Sequence, residues 1–121
     1  MTGITEAESV IMEALWRRSP LTAEEIASDL PESQGWSFST IKALINRLLK
    51  KGVIDADLDG RRYLYRPAVA RTEYILAESQ SLLDRLFAGR LAPLVSQFSQ
   101  AQQLTPEDVA ELRRLIDELD P

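Results

Sequence analysis

The sequence predicts a mostly α-helical protein with one small β-hairpin. Two Thr-x-x-Glu capping boxes open apolar runs of helical spacing near the N terminus. Farther on, Asp59-Gly60 separates two short runs of strand-forming residues, which is a strong hairpin signal. Helical apolar stripes then recur from Arg71 onward. The 121 residues, 45% of them hydrophobic and 27% charged, suit one compact domain, or a small domain with a short appendage.

Two capping boxes mark the first two helices. In each box a threonine caps the first turn and a glutamate three residues later reaches back to the cap. The first predicted helix covers residues 6–18 and is stopped by Ser19-Pro20. The second is short and ends at Leu30-Pro31, and a loop follows to Gly35. The boxes are Thr5 with Glu8 and Thr22 with Glu25.

A third helix is predicted between a serine cap, Ser37 or Ser39, and the stop signal Gly52. A helical wheel gives it one apolar face and one basic, polar face with a small residue in its middle. The apolar face contains Phe38, Ile41, Leu44, Ile45, Leu48 and Leu49. The polar face contains Ser39, Lys42, Ala43, Asn46, Arg47 and Lys50.

The hairpin completes the first part of the chain. Predicted strands over 53–58 and 61–66 flank Asp59-Gly60, and Tyr63 and Tyr65 share one face of the second strand. Three helices followed by a two-stranded hairpin is the element order of a winged helix-turn-helix. We therefore predict such a domain over residues 1–70, with the hairpin as its wing.

Residues 71–121 are predicted to form a helical dimerisation region. They carry three apolar stripes, and a polar linker is predicted over 97–103 before the last helix. Three stripes in so short a segment are more apolar surface than it can bury alone, so a second copy of the chain is the expected partner. The residues assigned to this interface are Ile75, Leu82, Leu83, Leu86, Phe87, Leu94, Val95, Phe98, Leu112, Leu115, Ile116 and Leu119.

The composition argues against catalysis and metal binding. The chain has no His and no Cys, which excludes Ser-His-Asp and Cys-His sites, zinc fingers and disulfides. No glycine-rich phosphate loop or calcium-loop motif is present either. We expect no enzyme activity, cofactor or metal. The start of the chain lacks an export signal and no uncharged stretch is apolar enough to span a membrane, so a cytoplasmic protein is expected.

Charge is distributed unevenly along the chain. The net charge is −5, yet residues 39–66 hold seven basic residues against three acids, between two acidic flanks. A basic helix face with two arginines at a hairpin tip predicts DNA binding, because local field governs a binding face. The predicted contacts are Ser39, Thr40, Lys42, Ala43, Asn46, Arg47, Lys50, Arg61 and Arg62. The alternative, favoured by the acidic flanks, is a winged-helix module that binds protein and has no specific DNA target.

Several segments together resemble the BlaI/MecI penicillinase-repressor family. The segment from Trp36-Ser37 through Asn46-Arg47-Leu48 to Lys50-Lys51-Gly52 is similar to the recognition helix of that family. Gly60-Arg61-x-Tyr63-x-Tyr65-Arg66-Pro67 resembles its wing. Glu78-Ser79-x-Ser81-x-Leu83-x-Arg85-x-Phe87 and Leu94-Val95-x-x-Phe98 resemble its dimer helices. The match spans nearly the whole chain.

The resemblance implies a homodimeric winged-helix repressor that binds a dyad operator with TACA/TGTA-like half-sites at promoters of resistance or stress genes. It also implies relief of repression by cleavage in the C-terminal region, triggered by a membrane sensor-protease pathway. The best-known members are cut at an Asn-Phe bond. The aligned pair in this sequence is Gln97-Phe98, which departs from that pattern.

Overall fold

The computed structural model describes residues 3–119 and confirms a mostly helical fold with one β-hairpin. The helices are α1 (Glu6–Arg17), α2 (Ala23–Asp29), α3 (Phe38–Lys51), α4 (Arg71–Leu86), α5 (Leu91–Gln100) and α6 (Pro106–Leu119). The strands are β1 (Ile54–Asp59) and β2 (Arg62–Pro67). They pair antiparallel, in a register that sets Ile54 opposite Pro67 and Asp59 opposite Arg62.

The predicted helix caps are present. Both threonine capping boxes are closed in both directions, and Ser37 is the cap of α3, since its Oγ accepts the Thr40 amide at 3.2 Å. Gly52 ends α3 in the left-handed region with φ of 74°, which favours glycine. Between α2 and α3 the expected loop contains one short 3₁₀ turn, Glu32–Gln34.

Three local predictions need correction. Phe38 does not lie in the core: it is the first residue of α3, beyond the layer that covers the helix, and 42% of it is exposed. The hairpin turn is Gly60-Arg61, because Asp59 still pairs with Arg62. The predicted linker over 97–103 begins too early, since α5 continues to Gln100.

The chain divides into two compact units, one up to Ala77 and one from Glu78. The division falls within α4 because its first turns belong to the first unit. There Tyr74 lies 5.2 Å from Trp16 between ring centroids, and Arg71 pairs with Glu13 at 3.0 Å.

The first unit has one hydrophobic core built from the three helices and the hairpin. Its fully buried side chains come mainly from α1 and α3, with Leu21 and Ile26 closing one side. The wing is fixed to this core by Leu21 and Tyr65, whose backbones exchange hydrogen bonds of 3.0 and 2.8 Å. The hairpin is therefore held at a defined place beside α3.

The second unit contains the end of α4 together with α5 and α6. A third capping box, between Thr105 and Asp108, lies at the start of α6. None of the described helical residues of α5 and α6 is buried. An apolar groove of about 890 Å³ opens between the two helices. It is lined by Leu91, Ala92, Val95, Leu112, Leu115, Ile116, Glu118 and Leu119.

Candidate nucleic-acid interface

The N terminus of α3 presents a cluster of hydroxyl groups to solvent. The Ser37 hydroxyl caps the helix and lies 3.1 Å from the Ser39 hydroxyl and 3.0 Å from the Thr40 hydroxyl. All three side chains are exposed. Free amides at a helix start and adjacent hydroxyls are groups that bind phosphate oxygens.

The outward face of α3 is basic along its length. Its lysines and arginine, Lys42, Arg47 and Lys50, are exposed, and none of them has an ion-pair partner within residues 3–119. No acidic residue occurs in α3. Ala43 and Asn46 are also exposed on this helix, whereas Ile41, Leu44, Ile45 and Leu48 are buried. The predicted amphipathic arrangement is present, with Phe38 as its exception.

The wing carries both paired and unpaired arginines. Arg62 pairs with Asp59 at 3.2 Å, and Arg66 pairs with Asp57 and, at 4.0 Å, with Asp55. Arg61 lies in the turn, is exposed, and has no ion-pair partner in the part of the chain that the structure describes. The acids of the wing are thus largely balanced by its own arginines.

The wing and α3 meet at a small cleft of about 160 Å³. It brings Lys42 together with Arg61 and Arg62, although they are far apart in sequence. Arg47 and Lys50 lie farther along α3 and do not line it. The cleft is lined by Ala23, Glu24, Lys42, Arg61, Arg62, Tyr63 and Tyr65. Glu24 and Tyr63 were not among the predicted contacts, because only folding places them beside Lys42.

The last residue of α3, Lys51, behaves differently from the lysine before it. Its ammonium donates to Glu8 Oε1 at 2.5 Å and to the Gly3 carbonyl at 2.9 Å, and 23% of its side chain is exposed. The same Glu8 oxygen accepts the Thr5 amide at 2.8 Å. Lys51 therefore joins the end of α3 to the start of α1. Sequence reasoning identified Glu8 only as a capping residue.

Glu8 is a fully buried carboxylate. Its Oε2 atom has no hydrogen-bond partner within the described range, 3–119. Burial alone would raise the pKa of Glu8, but the hydrogen bonds of its carboxylate with Lys51 and Thr5 outweigh that effect and hold the pKa below its usual value. Glu8 is thus ionised at neutral pH and paired with a half-buried lysine.

The residues assigned to the dimer interface are all exposed or half-exposed within the described chain. Leu119, Leu86 and Ile116 are the most exposed of them, at 85%, 63% and 61%. Leu112 and Val95 line the groove of the second unit. Gln97 and Phe98 are exposed and lie inside α5.

Residues 3–119 contain neither a membrane-spanning helix nor a metal-binding cluster. No helix of residues 3–119 is both long and apolar enough to cross a membrane. Over the same range, no group of acidic residues is arranged to hold a metal ion.

Comparison with known proteins gives a consistent result. The penicillinase repressor family model matches residues 4–118. The penicillinase repressor of Bacillus licheniformis is 32% identical over 115 residues, which are 95% of this chain and 90% of that protein. The methicillin resistance regulatory protein MecI of Staphylococcus aureus (strain N315) is 28% identical, covering 93% of this chain and 92% of MecI.

A solved structure is similar to part of the chain. It is the solution structure of monomeric Bacillus licheniformis BlaI in complex with the blaP half-operator. The similarity covers 60% of this chain and 89% of that one, with 30% identity and a TM-score of 0.53. The family match over nearly the full length and the shared fold agree, and this chain belongs to the penicillinase repressor family of winged-helix regulators.

Proposed function

We propose that this protein is a homodimeric, sequence-specific DNA-binding repressor. The observation that carries the proposal is the exposed, acid-free basic face of α3, with Arg61 and Arg62 of the wing beside Lys42. An α-helix fits the major groove, and a hairpin beside it reaches the adjacent backbone. The complex of the similar BlaI protein with a half-operator supports the same target class for this chain.

Each predicted contact has a role that follows from its position. Lys42 and Arg47 reach base edges, and Arg47 can pair with guanine through two hydrogen bonds. Ala43 meets a thymine methyl group, and Asn46 lies on the same exposed face. The remaining contacts fix the protein on the duplex through phosphates. These are Ser39, Thr40, Lys50, Arg61 and Arg62.

A symmetric dimer implies a dyad operator, because each protomer reads one half-site. The TACA/TGTA-like sequence of the half-sites is what the family resemblance implies. The dimer would form through residues 71–121, whose apolar side chains are largely uncovered in the single chain. Several exposed apolar residues on one short region are typical of an interface between subunits. Residues 1–70 then act as the DNA-binding domain.

Relief of repression by proteolysis is the proposed regulation, through a membrane sensor-protease pathway. The bond between Gln97 and Phe98 lies inside α5 and both side chains are exposed. A protease needs an extended backbone, so α5 must open locally before this bond can be cut. Cleavage there would separate α6 from the rest of the chain and weaken the dimer.

The salt dependence of duplex binding tests this function. Contacts with phosphates release counterions, so affinity for a dyad duplex should fall steeply as salt rises. Sedimentation of the complex should give two chains per duplex. An affinity that hardly changes with salt would contradict DNA binding and favour the protein-binding module.

A further inference from the structure

The end of α3 contains a lysine that cannot serve as an ordinary surface cation. Lys51 is directed inward to Glu8 and to the Gly3 carbonyl, and only 23% of its side chain is exposed. Lys50, one residue earlier, is exposed and has no ion pair among the described residues. Two adjacent lysines therefore have different surroundings and, we expect, different roles.

Capping of α1 does not require the burial of Glu8. Glu25 closes the same kind of box on α2 while its side chain is only half-buried, through hydrogen bonds of 2.9 and 3.1 Å. Asp108 does so on α6 while exposed. Buried ion pairs contribute little net stability, since desolvation offsets their attraction, but they fix geometry. The burial of the Glu8–Lys51 pair is thus better explained by its effect on the placement of α3 than by a contribution to stability.

The pair lies where the chain passes from α3 to the wing. Gly52 follows Lys51 in the left-handed region, and the Val53 amide donates to Leu48 O at 3.3 Å. The Val53 carbonyl in turn accepts the Ala68 amide at 2.9 Å, just after β2. A contact that holds Lys51 against α1 therefore also holds the start of the hairpin.

We propose that Glu8 and Lys51 form a positioning pair that sets the placement of α3 and the wing on α1, and thereby sets sequence discrimination. The inference rests on the proposed DNA-binding function. Base contacts require more precise placement of the side chain than phosphate contacts do. The reason is that a base edge offers only a few donors and acceptors in fixed directions. Loss of the pair should reduce the preference for the operator more than it reduces general affinity for duplex DNA.

The principal test is the double variant Glu8→Gln/Lys51→Met. Glutamine still closes the capping box and methionine fills the lysine stem, so no buried charge is left unpaired. We expect the affinity ratio between a dyad duplex and a scrambled duplex to fall about tenfold, the size of one lost base contact, while the salt slope stays unchanged.

Two matched variants serve as controls. Lys50→Met removes a cation from the same turn and should lower the salt slope by about one while the affinity ratio is kept. Glu25→Gln makes the same chemical change in the other capping box and should leave the ratio unchanged. If the double variant behaves like Lys50→Met, Lys51 is a phosphate contact and the proposal is wrong. An unchanged ratio in the double variant also overturns it.

Glu8→Asp keeps the proposal testable if the double variant does not fold. Aspartate closes a capping box in this protein, as Asp108 shows, and both charges remain, but the carboxylate is withdrawn from Lys51 by one methylene. The affinity ratio should fall again. A folded Glu8→Asp protein with the parental ratio would overturn the proposal.

A measurement without DNA separates this inference from the proposed function. If the parental protein does not discriminate between duplexes, the proposed function fails by itself. In that case, amide hydrogen exchange over residues 48–53 of the free protein tests whether Glu8 and Lys51 position the end of α3. Exchange should be faster in the double variant than in Lys50→Met, and equal exchange would contradict a positioning role.

Discussion

Leu21 and Tyr65 exchange two backbone hydrogen bonds, Leu21 N to Tyr65 O at 3.0 Å and Tyr65 N to Leu21 O at 2.8 Å. Leu21 directly precedes Thr22, the cap of α2, so this contact ties the second wing strand to the start of that helix. Tyr65 is buried as a result, with 7% of its surface exposed, whereas Tyr63 on the same strand is 53% exposed. The base of the wing belongs to the core, and the end of the wing is free to contact a ligand.

Replacement of Tyr65 by alanine should destabilise the first unit strongly. A buried aromatic ring would be removed, and such truncations cost about 3–5 kcal/mol. The matched variant Tyr63→Ala removes a ring that is half in solvent, and we expect a loss of about 1 kcal/mol or less. Urea unfolding of both variants measures the free energies. Equal losses would contradict the division of the wing into a buried base and an exposed end.

Arg47→Ala and Arg61→Ala should weaken DNA binding in different ways. If Arg47 reads a base, its loss should cost about 1–3 kcal/mol and relax sequence preference at one position. Arg61 is exposed in the turn, and its loss should weaken all duplexes alike and lower the salt slope by about one. Anisotropy titrations against single-base operator variants distinguish the two patterns. If Arg47→Ala lowers the salt slope and leaves the sequence preference unchanged, Arg47 contacts a phosphate and does not read a base.

Glu8 should make the free energy of unfolding depend on pH in the acidic range. Its pKa in the folded protein lies below the ordinary value of 4.5, so the unfolded state binds the proton more readily. The stabilisation is complete above that ordinary value and is lost as pH falls through it and then through the folded value. The unfolding free energies of the parental protein and Glu8→Gln should therefore differ most well above pH 4.5 and converge as the pH falls below that value. A difference that stays constant with pH would contradict an ionised Glu8.

Leu115→Asp should yield a monomer with poor operator affinity. It places a charge in the apolar groove of the second unit, at a side chain that is 42% exposed in the single chain. Arg113→Asp introduces the same residue into α6 away from that groove and should leave the dimer intact. Sedimentation velocity reports the oligomeric state. Dimers retained in both Leu115→Asp and Leu83→Asp would refute the assignment of residues 71–121 to dimerisation.

Local signals predicted the fold of the first unit well. The capping boxes and the Asp-Gly turn signal act over a few residues, so the helix starts and the hairpin are close to their predicted places. The helical wheel placed Phe38 on the apolar face, yet Phe38 is exposed. A wheel gives the direction of a side chain around the helix axis, but not how far along the helix the neighbouring elements cover it. The linker over 97–103 failed because polar residues are compatible with an exposed helix such as α5.

The candidate site was predictable in its residue types and less so in its grouping. The exposure of Lys42 and Arg47 followed from helical periodicity alone. The cleft that joins Lys42 to the wing depends on the Leu21–Tyr65 pairing, which is a long-range contact. The inward direction of Lys51 depends on Glu8, 43 residues away, and no local pattern carries that information.

The central claim is specific recognition of a dyad operator, and fluorescence anisotropy of a labelled duplex tests it most directly. A duplex with TACA/TGTA half-sites is compared with a scrambled duplex of equal composition at one near-physiological salt concentration. We predict that the dyad duplex binds more tightly by about 4 kcal/mol or more. Equal and weak binding of the two duplexes would contradict the claim, and protein partners of the α3 face would then be sought.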